Sequence, residues 1–117
     1  MMLMPPFTLH HPTSVDQACA LAAQLMESGE AFDWVAGGTD LLPNYKWHIN
    51  TKPHVISLAR IDGTSTISAQ ELGCMVRLSD LTEENGVHPV IVQAASKVAS
   101  PLIRTNATLG GNLCLDT

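Results

Sequence analysis

Residues 32–40 read F-D-W-V-A-G-G-T-D, a short apolar run that ends abruptly on two glycines. Such a run bounded by glycine predicts a β-strand, here over Phe32–Ala36. Paired glycines permit positive φ and leave no Cβ in the way of a ligand, so successive N–H groups can converge on an anionic oxygen. Taken alone, a Gly-Gly-Thr sequence is most often only a turn. It is also not the G-x-G-x-x-G fingerprint of dinucleotide-binding folds.

A second glycine pair lies at Thr108–Asn112, which reads T-L-G-G-N. Thr39 and Thr108 add hydroxyl donors to the two loops, and Asn112 adds a side-chain amide. Two such loops, each beside strand-like residues, indicate a way for an acidic chain to hold phosphate without lysine or arginine. The residues themselves lead only as far as phosphate-binding loops.

The rest of the pattern predicts helices and strands in mixed order. Residues 14–28 carry apolar positions at helical spacing, Ser14 and Gln17 have capping-box spacing, and Gly29 suits the helix end. Further predicted elements are a short helical turn opened by Pro43, a strand over 54–58, a hairpin of strands at 64–68 and 72–77, a helix over 79–85 with Ser79 as N-cap and Gly86 at its end, a helix over 89–99 stopped by Pro101, and a strand beginning within 107–115. A βαβ unit followed by a hairpin and helices indicates the α+β class.

Composition excludes several classes of function. The chain has 117 residues, 6 Lys plus Arg, 11 Asp plus Glu and a formal net charge of −5, which argues against nucleic acid or an anionic membrane as the main partner. Its length predicts one domain at most, and 45% hydrophobic residues argue against disorder. Three cysteines without a C-x-x-C pair indicate reduced thiols in a cytoplasmic protein. We expect neither a membrane span nor a signal peptide.

Together, Val35–Leu41 (V-A-G-G-T-D-L) and Ile103–Leu113 (I-R-T-N-A-T-L-G-G-N-L) resemble the FAD-binding subunit of the molybdenum hydroxylases, which include xanthine dehydrogenase and carbon monoxide dehydrogenase. Within that family, residues 38–44 and 110–117 resemble most the β subunit of 4-hydroxybenzoyl-CoA reductase. The resemblance covers essentially the whole chain. It implies the N-terminal part of an FAD-binding PCMH-type fold, also called vanillyl-alcohol-oxidase-like.

The resemblance also implies a division of the chain and a set of site residues. Residues 1–57 would form a small α/β subdomain carrying the pyrophosphate loop, and residues 58–117 the incomplete start of a second α+β subdomain carrying the second loop. The first loop would bind the FAD pyrophosphate and the second the phosphate and ribitol region, and we expect the two to meet on one cofactor. The implied cofactor-binding residues are Ala36, Gly37, Gly38, Thr39, Asp40, Leu41, Thr108, Gly110, Gly111 and Asn112. A carboxylate repels a pyrophosphate, so we expect Asp40 to offer its N–H and turn its carboxylate away.

The function implied by the resemblance is that of an oxidoreductase subunit. FAD would relay electrons between an external donor or acceptor and iron–sulfur clusters, with a molybdenum-cofactor subunit and a [2Fe-2S] subunit as partners. No residue is expected to act as a catalytic acid or base, and no metal site is expected. Family members are much longer, so we expect a fragment that exposes apolar surface and self-associates.

Two alternatives to that function stay open. The first is a docking module that holds no flavin of its own. An oxidase of the same fold with covalent FAD is disfavoured, because the first loop lacks an attachment histidine or cysteine.

Cysteines, basic residues and histidines are the remaining candidate ligands. Cys19 and Cys74 are expected in the core, and Cys114 is expected to be a buried or incidental thiol. Arg104 would either pair with phosphate or bond loop carbonyls, and Lys46 would either reach a phosphate or be solvated. The histidines show no metal-ligand spacing and are expected at the surface or at edges: His10, His11, His48, His54 and His88.

Overall fold

The computed structural model of the protein describes residues 4–115. By its packing the chain divides into two units, Met1–Asp62 (unit 1) and Gly63–Thr117 (unit 2). This boundary lies slightly beyond the one that the sequence analysis places after Ser57. The roles assigned to the two subdomains stay predictions.

Unit 1 is built on a three-stranded parallel sheet in the order β1-β3-β2. The strands are β1 (Thr8–His10), β2 (Phe32–Val35) and β3 (His54–Ser57). The central strand β3 pairs with both neighbours. β2 and β3 confirm two predicted strands, whereas the sequence analysis misses β1, because its three mostly exposed residues carry no buried alternation.

Helix α1, Val15–Glu27, connects β1 to β2 and confirms the helix predicted over residues 14–28. The Ser14 hydroxyl accepts a hydrogen bond from the Gln17 N–H at 3.1 Å. Gly29 follows the helix with φ +70°, a conformation that glycine adopts without steric cost. Both ends of the helix are therefore set by local sequence.

Only some of the apolar residues of α1 are buried, so its buried face is narrower than the apolar face that the sequence predicts. Ala22 and Leu25 pack on Ile56 of β3, which is completely buried. Cys19 was expected in this core and is exposed, so that prediction is wrong. The reason is that the helix rests on the short central strand of a small sheet, which covers only one line of side chains.

Helix α2, Leu41–Lys46, follows β2 after the first glycine loop and leads back to β3. It begins at Leu41, ahead of the Pro43 that was expected to open it. Pro43 lies in the first turn, where backbone N–H groups have no intrahelical acceptor, so the proline breaks no hydrogen bond. The predicted helical turn is confirmed with an earlier start.

Unit 2 consists of short helices and turns. They are α3 (Pro89–Ser96), α4 (Pro101–Arg104), α5 (Leu109–Leu113) and two 3₁₀ turns, Leu78–Asp80 and Glu83–Asn85. Their core is aliphatic, as the 4% aromatic content predicts, and consists of Val76, Leu78, Leu81, Val87, Ala95 and Ala107. Parallel strands in one unit and helices and turns in the other fit the predicted α+β class.

The hairpin predicted within residues 64–77 is present as a bridged turn and not as two strands. Ile67 and Leu72 form a single antiparallel bridge, and the Ser68 N–H donates to the Glu71 carbonyl at 2.9 Å. A glycine in the second arm, Gly73, weakens a regular strand there.

The prediction of one helix over residues 79–85 is wrong. The chain makes two 3₁₀ turns, and Thr82, not Ser79, is the capping residue, with its hydroxyl accepting from the Asn85 N–H at 3.4 Å. Gly86 ends the second turn with φ +80°, as expected.

Two further predictions in unit 2 need correction. No strand begins within residues 107–115 in the part that the structure describes: Thr108 makes one antiparallel bridge with Arg77, and α5 starts at Leu109. The Thr108 hydroxyl caps the next turn, which favours a helix over a strand. Helix α3 ends at Ser96, before the expected Ala99, and Pro101 starts α4 as well as following α3.

Replacing Leu25 by alanine tests the packing of α1 on β3. Leu25 is 5% exposed and its neighbour Met26 is 70% exposed. We expect Leu25→Ala to lower the free energy of unfolding by about 2–5 kcal/mol, because it leaves a cavity. Met26→Ala should change it by less than about 0.5 kcal/mol. Urea unfolding followed by circular dichroism measures both, and equal losses would contradict this packing.

Candidate functional site

The first glycine loop, residues 36–40, joins the carboxyl end of β2 to the start of α2. Gly38 reverses the chain with φ +78°, and the Leu42 N–H donates to the Gly38 carbonyl at 3.1 Å. Ligands of open parallel sheets bind outside the carboxyl ends of the strands. The loop therefore lies where a ligand site is expected.

The backbone N–H groups of this loop have no acceptor of their own. Within residues 4–115, none of the amides from Ala36 to Leu41 donates to another backbone or side-chain group. Ala36, Gly37 and Gly38 are half-buried, and Thr39 and Asp40 are exposed. A run of unpaired donors at a strand-to-helix turn is suited to an anionic ligand.

The Asp40 carboxylate bonds along α2. Its Oδ2 accepts a hydrogen bond from Asn44 Nδ2 at 3.3 Å, one helical turn further on. The side chain provides no cap for the helix amides. The carboxylate therefore accepts a hydrogen bond from Asn44, and the N–H groups of the loop remain available to a ligand.

A polar network that the sequence analysis missed joins β2 and α2, the two elements that flank the loop. The Tyr45 hydroxyl of α2 donates to Asp33 Oδ2 of β2 at 2.6 Å and accepts from the Lys52 N–H at 3.1 Å. Tyr45 is fully buried. Burial, and then the hydrogen bond to Asp33, raise the pKa of Tyr45 to about 12. The sequence does contain a signal for this network, since Asp33 is a charged residue within the apolar run F-D-W-V. A carboxylate that becomes partly buried needs a hydrogen-bond or charge partner.

The second glycine loop is organised differently from the first. Its amides are already bonded within unit 2: Leu109 N–H donates to the Val76 carbonyl and Gly110 N–H to the Cys74 carbonyl, both at 2.8 Å. The buried Thr108 hydroxyl accepts from the Gly111 N–H at 3.1 Å. The expected nest of free N–H groups is therefore absent from Leu109–Gly111, because these amides open helix α5 and bridge to its neighbours.

Gly110 is required by close packing. A Cβ at this position would lie 2.7 Å from the Cys74 Cβ and 2.9 Å from the Cys74 carbonyl oxygen. What this loop can offer a ligand is side-chain polarity. The Asn112 side chain is exposed and makes no hydrogen bond within residues 4–115, whereas Thr108 is only 3% exposed.

The structure answers the questions raised for two basic residues. Arg104 Nη1 donates to the Val98 carbonyl at 2.7 Å, so it bonds a carbonyl, but one that lies outside the second glycine loop. Lys46 is exposed and has no ion pair or hydrogen bond with any residue from 4 to 115, which matches the solvated alternative. Cys74, expected in the core, is exposed, so that prediction is wrong; Cys114 is also exposed, and all three thiols are free.

A histidine pair links β1 to the central strand β3. His10 Nε2 and His54 Nδ1 are 3.0 Å apart, and His54 Nε2 lies 3.2 Å from Glu30 Oε2. Among residues 4–115 no group of three or more potential ligands could hold a metal ion.

No helix within the described residues is both long enough and apolar enough to cross a membrane.

Comparisons with known proteins show the family to which the chain belongs. The sequence profile of the family described as "FAD binding domain in molybdopterin dehydrogenase" matches residues 5–117. The carbon monoxide dehydrogenase medium chain of Hydrogenophaga pseudoflava is 33% identical over 96% of this chain and 40% of that protein. The xanthine dehydrogenase FAD-binding subunit of Escherichia coli O157:H7 is 29% identical over 80% of this chain and 35% of that protein.

Solved structures give the same fold. Carbon monoxide dehydrogenase from Hydrogenophaga pseudoflava superposes with a TM-score of 0.80 at 30% identity, covering 96% of this chain and 40% of that one. The reconstituted enzyme from Oligotropha carboxidovorans gives a TM-score of 0.83 at 28% identity, covering 95% and 40%. The predicted fold class is confirmed, and the chain spans about 40% of the length of these curated relatives.

The raised pKa of Tyr45 predicts a stability change at alkaline pH. The phenol has a pKa of 10.0 when unperturbed and about 12 in the folded chain. Its stabilising contribution is therefore complete below pH 10 and is lost as the pH rises through 12. We expect the stability advantage of the wild type over Tyr45→Phe to shrink between pH 10 and 12. Urea midpoints of both proteins measure it, and a constant difference across this range would contradict the burial that raises the pKa of Tyr45.

Substituting Gly110 tests whether close packing is what requires this glycine. Gly110→Ala should lower the free energy of unfolding by about 1–3 kcal/mol, because the added methyl group meets the backbone and Cβ of Cys74. Leu113→Ala is the control, since Leu113 lies in the same helix and is 75% exposed. It should cost less than about 0.5 kcal/mol. Thermal unfolding without ligand distinguishes them, and a neutral Gly110→Ala would show that the contact is relaxed in solution.

Proposed function

Because the chain belongs to the family of FAD-binding domains of molybdopterin dehydrogenases, we propose that its first glycine loop binds the pyrophosphate of FAD. The observation that supports this assignment is the run of backbone amides from Ala36 to Leu41 that have no acceptor within residues 4–115. A diphosphate supplies the acceptors that these amides lack. The proposed contacts of this loop are Ala36, Gly37, Gly38, Thr39, Asp40 and Leu41.

The charges around the loop fit an anionic group. Backbone amides bind phosphate oxygens without a formal positive charge, so a chain with net charge −5 can use them. The Asp40 carboxylate is bonded to Asn44, so its N–H can face the ligand while its charge is engaged. Gly38 and Gly37 keep the backbone free of side chains at the point of contact.

We assign the second loop to the phosphate and ribitol region of FAD, with contacts from Thr108, Gly110, Gly111 and Asn112. Hydroxyl and amide side chains suit that region, because ribitol offers hydroxyl groups that both donate and accept hydrogen bonds. The free side chain of Asn112 supports its part in this assignment. Gly110 allows the backbone to pack closely against Cys74, and the N–H groups of Gly110 and Gly111 are bonded within unit 2.

For the whole protein we propose electron relay within a heteromeric molybdenum enzyme. Bound FAD supplies the redox chemistry, and this chain supplies binding and orientation. The relatives are named as carbon monoxide and xanthine dehydrogenase subunits, which supports a molybdenum-cofactor subunit and a [2Fe-2S] subunit as partners. The more specific assignment to 4-hydroxybenzoyl-CoA reductase, with an aromatic acyl-CoA as substrate, rests on residues 38–44 and 110–117 alone.

A docking module without flavin is the second candidate. It is favoured by large apolar side chains exposed on unit 2, with Leu102 at 78%, Leu113 at 75% and Val90 at 66% exposed. Such side chains suit contact with another polypeptide. FAD titration distinguishes the two candidates: saturable quenching of flavin fluorescence supports the flavoprotein, and a flat trace supports the docking module.

Matched glycine variants test the pyrophosphate assignment. Gly38 and Gly29 both lie in unit 1 at positive φ, +78° and +70°, so alanine at either costs about 1–2 kcal/mol of backbone strain. A Cβ at Gly38 also lies 2.9 Å from the end of the flexible Leu42 side chain, whereas a Cβ at Gly29 meets nothing within 4 Å. Only Gly38 belongs to the loop. We expect Gly38→Ala to weaken FAD binding by about tenfold or more, because alanine is strained in this left-handed conformation and the shifted loop no longer aligns its amides with the pyrophosphate. Gly29→Ala should bind FAD like the wild type, and an equal loss in both variants would sink the assignment.

A further inference from the structure

A buried hydrogen bond joins the two elements that flank the first glycine loop. Asp33 lies in β2, just ahead of the loop, and Tyr45 lies in α2, just after it. We propose that Asp33 and Tyr45 are positioning residues that hold this loop in the shape that receives the pyrophosphate. The proposal rests on the proposed function, because it assigns a task within the same site.

The Tyr45 side chain reaches the leading end of every strand in the sheet. Its hydroxyl bonds to Asp33 in β2 at 2.6 Å and receives the N–H of Lys52, just ahead of β3, at 3.1 Å. Its ring meets Phe7, directly ahead of β1, edge to face with centroids 5.4 Å apart. One fully buried side chain thus fixes the far end of α2 against all three strands.

The loop itself has few internal contacts that could set its shape. Its amides are unpaired within residues 4–115, and its ends are held by two backbone bonds. Leu58 N–H donates to the Val35 carbonyl at 2.9 Å ahead of the loop, and Leu42 N–H donates to the Gly38 carbonyl behind it. A helix of six residues is not stable alone, so the direction of α2 depends on its anchor. That anchor is Tyr45.

The charge at Asp33 is balanced close by. Lys52 Nζ lies 3.8 Å from Asp33 Oδ2 and donates to the Asn50 carbonyl at 2.7 Å. The hydrogen bond from Tyr45 needs only an acceptor oxygen at this position. Asn at residue 33 keeps such an oxygen, whereas alanine removes it. Comparing the two variants therefore tests whether this acceptor oxygen is what positions the loop.

The experiment compares FAD dissociation constants of the intact protein and its variants by flavin fluorescence. Tyr45→Phe keeps the ring and its contact with Phe7 but loses the hydroxyl. Ile56→Val is the control, because it truncates a fully buried side chain of β3 that packs with Ala22 and Leu25 of α1. Thermal unfolding of each variant shows how much stability each has lost.

We expect Tyr45→Phe to raise the FAD dissociation constant about tenfold relative to Ile56→Val when the two variants have comparable stability. A tenfold change lies within the usual range for coupling between a binding site and a residue outside it. Asp33→Ala should show the same loss, and Asp33→Asn should restore near wild-type affinity. A second readout is the ¹⁵N relaxation of Gly37 and Gly38 without ligand, which should show greater mobility in Tyr45→Phe than in the wild type. Should Tyr45→Phe fail to fold, the two Asp33 variants decide.

The possible failures are distinct. If the wild type binds FAD and Tyr45→Phe binds it as well as Ile56→Val does, the positioning role is overturned and the proposed function stands. If Asp33→Asn loses as much affinity as Asp33→Ala, the role is likewise overturned, because the acceptor oxygen then does not matter. If the wild type binds no FAD, both the proposed function and the positioning role fail.

Discussion

The left-handed backbone of Gly38 is the constraint on which unit 1 depends. At φ +78° it turns the chain from β2 into α2 within a few residues and leaves the intervening amides without acceptors. A side chain at this position would be strained in itself, and its Cβ would lie 2.9 Å from Leu42 Cδ1. The same turn that closes the β2–α2 connection therefore creates the set of donors that we assign to FAD.

The two glycine loops look alike in sequence, but their glycines have different structural roles. In the first loop glycine supplies a backbone conformation, and the N–H groups stay open. In the second, Gly110 allows α5 to approach Cys74, and its N–H bonds to the Cys74 carbonyl. Sequence could locate both loops because paired glycines are conspicuous. It could not distinguish their roles, because the role of Gly110 is set by a segment more than thirty residues away along the chain.

The same limit explains most differences between sequence and structure. Helix α1 and strands β2 and β3 were predictable, because their caps, glycines and apolar spacing are local signals. The strand expected within residues 107–115 becomes α5, because the Thr108 hydroxyl caps the turn that follows. Cys19 and Cys74 were assigned to the core from periodicity, which does not say how wide the covering surface is. The role of Tyr45 could not be predicted from local sequence, because its partner, Asp33, lies across the loop in another element.

The central claim is that the amides of residues 36–40 hold the FAD pyrophosphate. Amide chemical shifts of the ¹⁵N-labelled protein during FAD titration test this claim most directly, because hydrogen bonding to phosphate moves amide protons downfield. We predict the largest shifts at Gly37, Gly38 and Thr39, with much smaller shifts at Gly29 and Gly86, which lie outside both loops. FAD binding that saturates while residues 36–40 keep their ligand-free shifts would contradict the account.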